Sequence, residues 1–149
     1  MTPSISSWQF WAVLSAIFAA LTAIFAKVGI QHINSDFATF IRTIVILCVL
    51  AMILFATRQY QPLNSISWKT FGFLVLSGLA TGASWICYFR ALKLGDAARV
   101  APIDKLSVVF VAIFAVVFLG ERLALPNWLG VIMIACGAVL RAFGSPYAR

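Results

Sequence analysis

A stripe of hydroxyl-bearing side chains runs along an otherwise apolar stretch near the middle of the chain. Its members are spaced by four, three and four residues, which places them on one face of an α-helix: Ser77, Thr81, Ser84 and Tyr88. Hydroxyl groups in such surroundings have two uses. They bond to backbone carbonyls and support helix packing, or they line a cavity and hydrogen-bond a polar solute. Both interpretations stay open from the sequence.

Trp85 lies beside this hydroxyl stripe, together with Gly78 and Gly82, which are four residues apart. Glycines at this spacing allow a neighbouring helix to approach closely. A tryptophan well inside an apolar stretch offers a large surface to a neighbouring helix or to a ligand. If the stripe lines a cavity, we expect Trp85 and Tyr88 to contact the bound solute.

Asp104 and Lys105 form a second candidate pair, because they are charged residues inside an apolar stretch. They follow Arg99 by five and six residues, which is about 8 Å along a helix. Lysine is long enough to reach water from there, but aspartate is not. We therefore expect Asp104 to meet a base from the same side of the protein. The candidates are Lys27, Arg42, Arg90 and Lys93. An ion pair that only supports the fold and a contact with a gate or a substrate are both open.

Two further acidic residues have simpler interpretations. Asp36 directly precedes the second apolar stretch and is typical of a helix N-cap. Glu121 and Arg122 follow Gly120, where the fourth stretch ends, and they fit either a solvated turn or a gating ion pair. The candidates for a gate or for ion pairs are thus Lys27, Arg42, Arg90 and Glu121.

These residues lie within or next to five apolar segments that make up most of the 149-residue chain. The segments are residues 8–30, 37–57, 70–91, 100–120 and 126–144. A helix needs about 20 predominantly apolar residues to cross a bilayer. The chain is 63% hydrophobic and 10% charged, whereas a soluble domain needs far more polar surface. We predict an all-α, polytopic membrane protein with five transmembrane helices, in which residues 1–149 form one domain.

Basic residues are distributed unevenly between the two sides of this arrangement. On the side of the N-terminus lie Arg58, Lys69 and Arg122. On the other side lie Lys27, Arg42, Arg90, Lys93, Arg99, Arg141 and Arg149. Because Lys and Arg are enriched in cytoplasmic connectors, we predict a multi-pass protein of the cell (inner) membrane with a cytoplasmic C-terminus and an external N-terminus.

The odd number of spans has a further consequence. Two such units in tandem would be inverted relative to each other, which is the arrangement of many secondary transporters. A single unit would then need a partner, either a second copy in a homodimer or a related chain.

Several other classes of protein are excluded by the residue content. His32 is the only histidine, and no motif typical of hydrolases, metalloproteases or nucleotide-binding loops occurs. The three cysteines have no metal-type spacing. The net charge of +7 comes from Lys and Arg near segment ends, not from a basic stripe with interleaved aromatic residues. We expect no enzyme activity, no metal or other cofactor and no nucleic-acid partner; the expected partners are the lipid bilayer and a small-molecule substrate.

Several longer stretches of the sequence match the pattern of a known family of membrane proteins. They are YFRAL before the connector glycine, VAPIDKLSVVF in the fourth segment, LGERL at its end and CGAVL in the last segment, and the first segment and SGLATGASW fit the same pattern. Together they resemble an EamA-type domain of the drug/metabolite transporter superfamily, in its short, five-helix bacterial and archaeal form. The resemblance covers essentially the whole chain. It implies half of a ten-helix inverted-repeat transporter fold and, for a single-copy form, a dimer.

The resemblance also bears on the cargo. The small multidrug exporters of this superfamily use a glutamate in their first helix to exchange protons for cations. The first segment of this chain contains Lys27 and no acidic residue. This difference favours neutral, zwitterionic or anionic cargo.

The leading hypothesis is a transporter or permease subunit for a small metabolite that works by alternating access as a dimer. The hydroxyl stripe and Trp85 would line its cavity, with Asp104 and Lys105 at the cytoplasmic mouth. One alternative is an accessory or structural subunit of a larger membrane complex. The other is a flippase for a lipid-linked head group, whose phosphate would meet Arg90, Lys93 and Arg99.

Overall fold

The computed structural model describes residues 7–144, and this part of the chain is helical, without a strand. Its helices are α1 (Trp8–Gly29), α2 (Ser35–Thr57), α3 (Trp68–Leu94), α4 (Ala97–Asp104), α5 (Ser107–Phe118) and α6 (Leu125–Phe143). A 3-10 turn, Leu63–Ser65, precedes α3. Within the described residues, five spans are long and apolar enough to cross a membrane, with α4 and α5 forming one of them. The predicted all-α membrane fold is confirmed.

Side-chain caps fix where the first two helices begin. The backbone N–H of Phe10 donates to Ser7 Oγ at 3.4 Å. The N–H groups of Asp36 and Phe37 donate to Asn34 Oδ1 at 2.8 and 3.2 Å. Asn34 is therefore the N-cap of α2, and the expectation that Asp36 takes this role is wrong. Asp36 lies in the first turn, where a carboxylate is favoured by the helix dipole and its side chain can reach another helix.

The fourth span is interrupted after Asp104, whereas the sequence predicted one helix over residues 100–120. The helix begins five residues before Pro102, which therefore lies inside α4 and not in its first turn. Proline has no N–H to donate, and its ring crowds the preceding turn. At the interruption the N–H groups of Lys105 and Leu106 donate to carbonyls three residues back, at 3.1 and 3.0 Å. This tighter, 3-10 type of bonding joins α4 to α5.

α5 ends at Phe118, two residues earlier than predicted, and a glycine makes this ending possible. Gly120 has a φ of +67°, in the left-handed region. This conformation lets the N–H of Glu121 turn back and donate to the Ala115 carbonyl at 3.1 Å. The bond closes the last turn of the helix in the manner of a Schellman motif. A residue with a side chain would be strained at this position.

The chain divides into two compact units, unit 1 (residues 1–93) and unit 2 (residues 94–149), of which residues 7–93 and 94–144 are described. In unit 2, both α4 and α5 pack against α6. Small buried residues permit the close approach: Ala112, Ala115, Ala138 and Ala142. Arg99 adds a link, because its Nε and Nη2 donate to the Ala142 carbonyl at 3.1 and 2.9 Å. That residues 1–149 act as one domain stays a prediction.

Unit 1 contains α1, α2 and α3, and its described buried residues all lie where α1 ends, α2 begins and α3 ends. Ile30 and Leu92 are almost fully buried there. Two lysines fasten this end: Lys27 Nζ donates to the Leu92 carbonyl at 2.7 Å, and Lys93 Nζ donates to the Ile33 carbonyl. We call it the tethered end. Elsewhere in the unit most large apolar side chains are exposed, as on helices that face lipid or a partner chain.

Replacement of Gly120 by alanine is expected to destabilise the protein by about 1 kcal/mol, because a side chain disfavours the left-handed backbone. An added Cβ would meet no atom within 4 Å, so the cost is conformational and not steric. Thermal unfolding of the purified protein in detergent measures it. Gly130→Ala is the matched control, since Gly130 lies within α6 and has the same free space. Equal losses in both variants would contradict the role given to Gly120.

Candidate functional site

A cavity of about 560 Å³ lies between α2 and α3 in unit 1, and we call it the α2–α3 cavity. Its lining consists of Asp36, Thr39, Phe40 and Thr43 from α2 and Leu74, Ser77, Gly78, Thr81, Gly82, Trp85 and Ile86 from α3. The volume falls within the range of small-molecule sites in proteins. Apolar side chains alternate with hydroxyl groups along the wall, so a small polar or amphipathic solute fits its chemistry.

The hydroxyl stripe of the sequence lies only partly in this wall. Ser77, Thr81 and Trp85 line the cavity, whereas the described lining does not include Ser84 or Tyr88. Tyr88 is half-buried, and its ring packs edge-on against the neighbouring phenylalanine. The structure thus brings together three of the five pathway residues that the sequence proposed on α3.

The threonines of the cavity donate their hydroxyl protons to their own helices. Thr81 Oγ1 donates to the Ser77 carbonyl at 2.9 Å. Thr39 and Thr43 do the same along α2, at 2.9 and 2.8 Å. Each hydroxyl oxygen keeps its lone pairs and remains an acceptor. Bonding within the helix and lining a cavity are therefore compatible, and the wall suits a solute that donates hydrogen bonds.

Gly78 and Gly82 lie in the same wall. An added Cβ at either position would meet no atom within 4 Å. The two glycines therefore do not seat a neighbouring helix within the described part of the chain. They leave space in the wall, which a solute or a partner chain can fill.

Arg42, a candidate for a gate or an ion pair, stacks on Trp85. Its guanidinium carbon lies 4.3 Å from the centroid of the Trp85 ring and 5.4 Å from that of Phe89, which are cation–π distances. Arg42 also lines a second cavity of unit 1, of about 380 Å³, which we call the Arg42 cavity. One member of the stacked pair therefore lies in the wall of each cavity. The sequence placed Arg42 and Trp85 on different segments and gave no signal that they meet.

Arg90 pairs with Asp36. Its Nε and Nη2 donate to the two carboxylate oxygens of Asp36 at 3.0 and 2.6 Å, a bidentate arrangement. The side chains are 60% and 44% exposed, respectively, so solvent weakens the pair. The contact joins the first turn of α2 to the end of α3, at the edge of the α2–α3 cavity. Arg90 was one of the bases expected for Asp104, and this pairing corrects that expectation.

Asp104 and Lys105 lie in unit 2, at the interruption between α4 and α5. Lys105 Nζ lies 3.2 Å from Asp104 Oδ2, so the base that Asp104 meets is its own neighbour in the chain. This pairing was not predicted, because the lysine was expected to extend toward water. Glu121 is exposed between α5 and α6, and its carboxylate forms no salt bridge with any of residues 7–144.

The described residues contain no group of three or more His, Cys, Asp or Glu side chains that could hold a metal ion. Cys48, Cys87 and Cys136 are exposed free thiols. That the protein works without a metal or other cofactor stays a prediction.

Membrane-spanning helices around a cavity of this size are typical of a multi-pass membrane transporter. Comparison with known proteins supports this class. Residues 6–143 match the EamA-like transporter family, and the chain belongs to that family. The resemblance stated from the sequence is thereby confirmed. The family points to transport and not to catalysis.

The relatives differ in length. The chain is 71% identical over 136 residues to a Sinorhizobium protein named "Uncharacterized transporter in cobO 3'region", covering 91% of this chain and 96% of that one. It is 28% identical over 142 residues to the uncharacterized transporter YxxF of Bacillus subtilis, covering 94% of this chain but 44% of the relative. It is 25% identical over 130 residues to an uncharacterized protein of Methanocaldococcus jannaschii, covering 86% and 90%. No solved structure matches the chain.

The Asp36–Arg90 pair predicts a charge-swap result. Asp36→Arg and Arg90→Asp are each expected to lower the thermal midpoint in detergent, because each places two like charges together at the tethered end. The double variant should recover most of the loss, since it restores the pair in reverse order. Lys69→Gln is the control, because Lys69 is an exposed base of α3 far along the helix from Arg90. A double variant as unstable as the two losses combined would show that the pair does not hold the helices.

Proposed function

We propose that the chain is half of a transporter that moves a small metabolite across the membrane by alternating access. The α2–α3 cavity carries the proposal, because it offers hydroxyl acceptors and an aromatic wall within membrane-spanning helices. In this proposal Ser77 and Thr81 hydrogen-bond the solute and Trp85 contacts its apolar part. Ser84 and Tyr88 stay candidates for later positions along the pathway. Family membership supports movement of a solute.

The transporter is proposed to be complete only as a pair of such units. The chain matches 44% of the Bacillus transporter, so that relative has length for a second unit, whereas the Sinorhizobium transporter has about the length of this chain. Five spans per chain make two tandem units inverted, which supports alternating access about a central site. The exposed apolar surface and the open wall at Gly78 and Gly82 leave room for a partner. The simplest partner is a second copy of the chain, which gives a homodimer. The other possible partner is a related chain.

Asp104 is proposed to take part in transport, with Lys105 as its ion-pair partner. A carboxylate within a span is costly to insert unless it has a use or a partner. The side chain of Asp104 remains 35% exposed despite its pairing with Lys105. A solute or a coupling ion therefore has access to it.

The flippase alternative loses its main support. It required three bases to meet a lipid phosphate, and all three have protein partners: Arg90 binds Asp36, Lys93 binds the Ile33 carbonyl and Arg99 binds the Ala142 carbonyl. The accessory-subunit alternative predicts co-purification with a larger partner and no flux from the chain alone.

An exchange assay over many candidate solutes at once tests the proposal. Proteoliposomes are loaded with a uniformly ¹³C-labelled extract of small metabolites, and mass spectrometry follows which labelled compounds leave in exchange for unlabelled ones. We expect a small set to leave faster than from protein-free liposomes. Thr81→Val should slow this set about fivefold, because it removes one hydrogen bond worth about 1 kcal/mol. Asp104→Asn should slow it while leaving the elution profile of the protein unchanged.

Thr57→Val is the matched control for this assay. Thr57 makes the same bond to the carbonyl four residues back, at 2.8 Å, but lies at the far end of α2 outside the cavity. Its exchange should equal that of the wild type. Exchange no faster than from empty liposomes would refute transport by the chain alone. Unchanged exchange in Asp104→Asn would remove that residue from the mechanism.

The proposed orientation, in the cell membrane with the C-terminus in the cytoplasm, follows from the excess of basic residues on that side. Reporters active only inside or only outside the cell, fused after the last residue, test it. We expect a single cytoplasmic signal, and the opposite signal from a reporter placed in the connector between α2 and α3. Signals from both sides would contradict a fixed orientation and would make an antiparallel homodimer self-sufficient.

A further inference from the structure

We propose that the Arg42 cavity binds a small organic anion with an apolar body, whose charged group pairs with the Arg42 guanidinium. The binding site is inferred from unit 1 alone. We also propose that the transported metabolite is an anion of this class. That second statement rests on the proposed transport function.

The composition of the cavity is the first argument. Its volume of about 380 Å³ lies toward the lower end of the range for small-molecule sites. Phe25, Ile33, Ile41 and Phe89 supply apolar wall, and Arg42 is the one charged residue in the described lining. A solute that fits this wall needs an apolar body, because the wall offers few partners for further polar groups.

The geometry of Arg42 is the second argument. Stacking on Trp85 occupies one face of the guanidinium, at 4.3 Å, while the N–H donors point outward in its plane. Within residues 7–144 no hydrogen bond or salt bridge engages these donors. A charged fork that is held in place by an aromatic ring, with its donors unused, suits bidentate binding of a carboxylate or a phosphate.

The charge balance of unit 1 is the third argument. Asp36 is the only acidic residue among residues 1–93, and both of its oxygens are bound by Arg90. No carboxylate of the unit is therefore left to neutralise Arg42. The same positive charge repels cations from the cavity. An organic anion from outside the unit would pair with the guanidinium of Arg42, and its apolar body would contact the apolar wall.

A matched set of probes tests the charge requirement: phenylacetate, phenylacetamide and 2-phenylethylammonium, which share their ring and approximate size. Binding is measured by calorimetry on the full chain in nanodiscs of neutral phosphatidylcholine. We expect phenylacetate to bind at least tenfold more tightly than phenylacetamide, and the ammonium probe more weakly than either. Arg42→Gln should remove the preference for phenylacetate and leave phenylacetamide unchanged.

Two further variants separate charge from folding. Arg42→Lys keeps the charge but not the planar fork, and it should keep only part of the preference. Lys69→Gln removes an exposed base at the other end of α3 and should leave all three affinities within twofold. The proposal is overturned if Arg42→Gln, eluting as a single species, keeps the preference. It is also overturned if the amide or the ammonium probe binds as well as phenylacetate, or if neither phenylacetate nor an acidic lipid binds.

A second arm separates a free metabolite from an acidic lipid as the natural source of this anion. Nanodiscs that contain phosphatidylglycerol are compared with neutral ones, and native mass spectrometry records lipid retained by the wild type and by Arg42→Gln. Retention that depends on Arg42, together with loss of phenylacetate binding, assigns the site to a lipid head group. Unchanged phenylacetate binding assigns it to a soluble anion. Both results agree with the proposed chemistry.

The binding test and the exchange assay can refute the anion site and the transport function separately. Binding in nanodiscs needs no flux, so binding of phenylacetate through Arg42 without any exchange would refute transport and leave the site intact. Exchange of cationic compounds alone would refute the anionic class of cargo and leave transport intact.

Discussion

A hydrogen-bonding group in the hydrocarbon of a bilayer has no water to bind, so a polar group within a span is costly unless protein atoms bond to it. The cavity threonines donate to the carbonyls of the preceding turn, and the lysines of the tethered end bind carbonyls beyond the helix termini. Asp36 and Arg90 satisfy each other. Arg42 stands apart, because its described contacts are cation–π contacts with aromatic rings. A group that the protein leaves incompletely satisfied is where a ligand has most to contribute.

The tethers of unit 1 are concentrated at one end of its helices. The buried residues and the contacts of Lys27, Lys93 and Arg90 all lie at one end of the three helices. Along the rest of α2 and α3 the contacts are sparser and the cavity lies between them. The Asp36–Arg90 pair lies at this end, with Asp36 in the cavity lining. Both side chains are about half exposed, so water replaces each partner readily as they part.

Hydropathy was sufficient to predict the five spans, because bilayer crossing depends on length and composition alone. Spacing predicted the hydroxyl stripe on α3, of which Ser77 and Thr81 lie in the wall of the α2–α3 cavity, whereas the described lining does not include Ser84 or Tyr88. The partners of the charged residues were not predictable. Asp36 and Arg90 are 54 residues apart, and their contact depends on how two helices pack. The interruption at Lys105 was missed for a local reason, since the start of α4 was placed too late and Pro102 appeared to lie in its first turn.

The stack of Arg42 on Trp85 makes charge the property that the proposed site recognises. A cation–π contact is worth about 1 kcal/mol, so the pair is ordered but replaceable. An anion approaches the edge of the guanidinium and leaves its face on the ring, so anion binding and stacking are compatible. A cation in the Arg42 cavity would instead meet a like charge directly. In the proposed anion site, the charge of Arg42 thus disfavours cationic solutes whatever their shape.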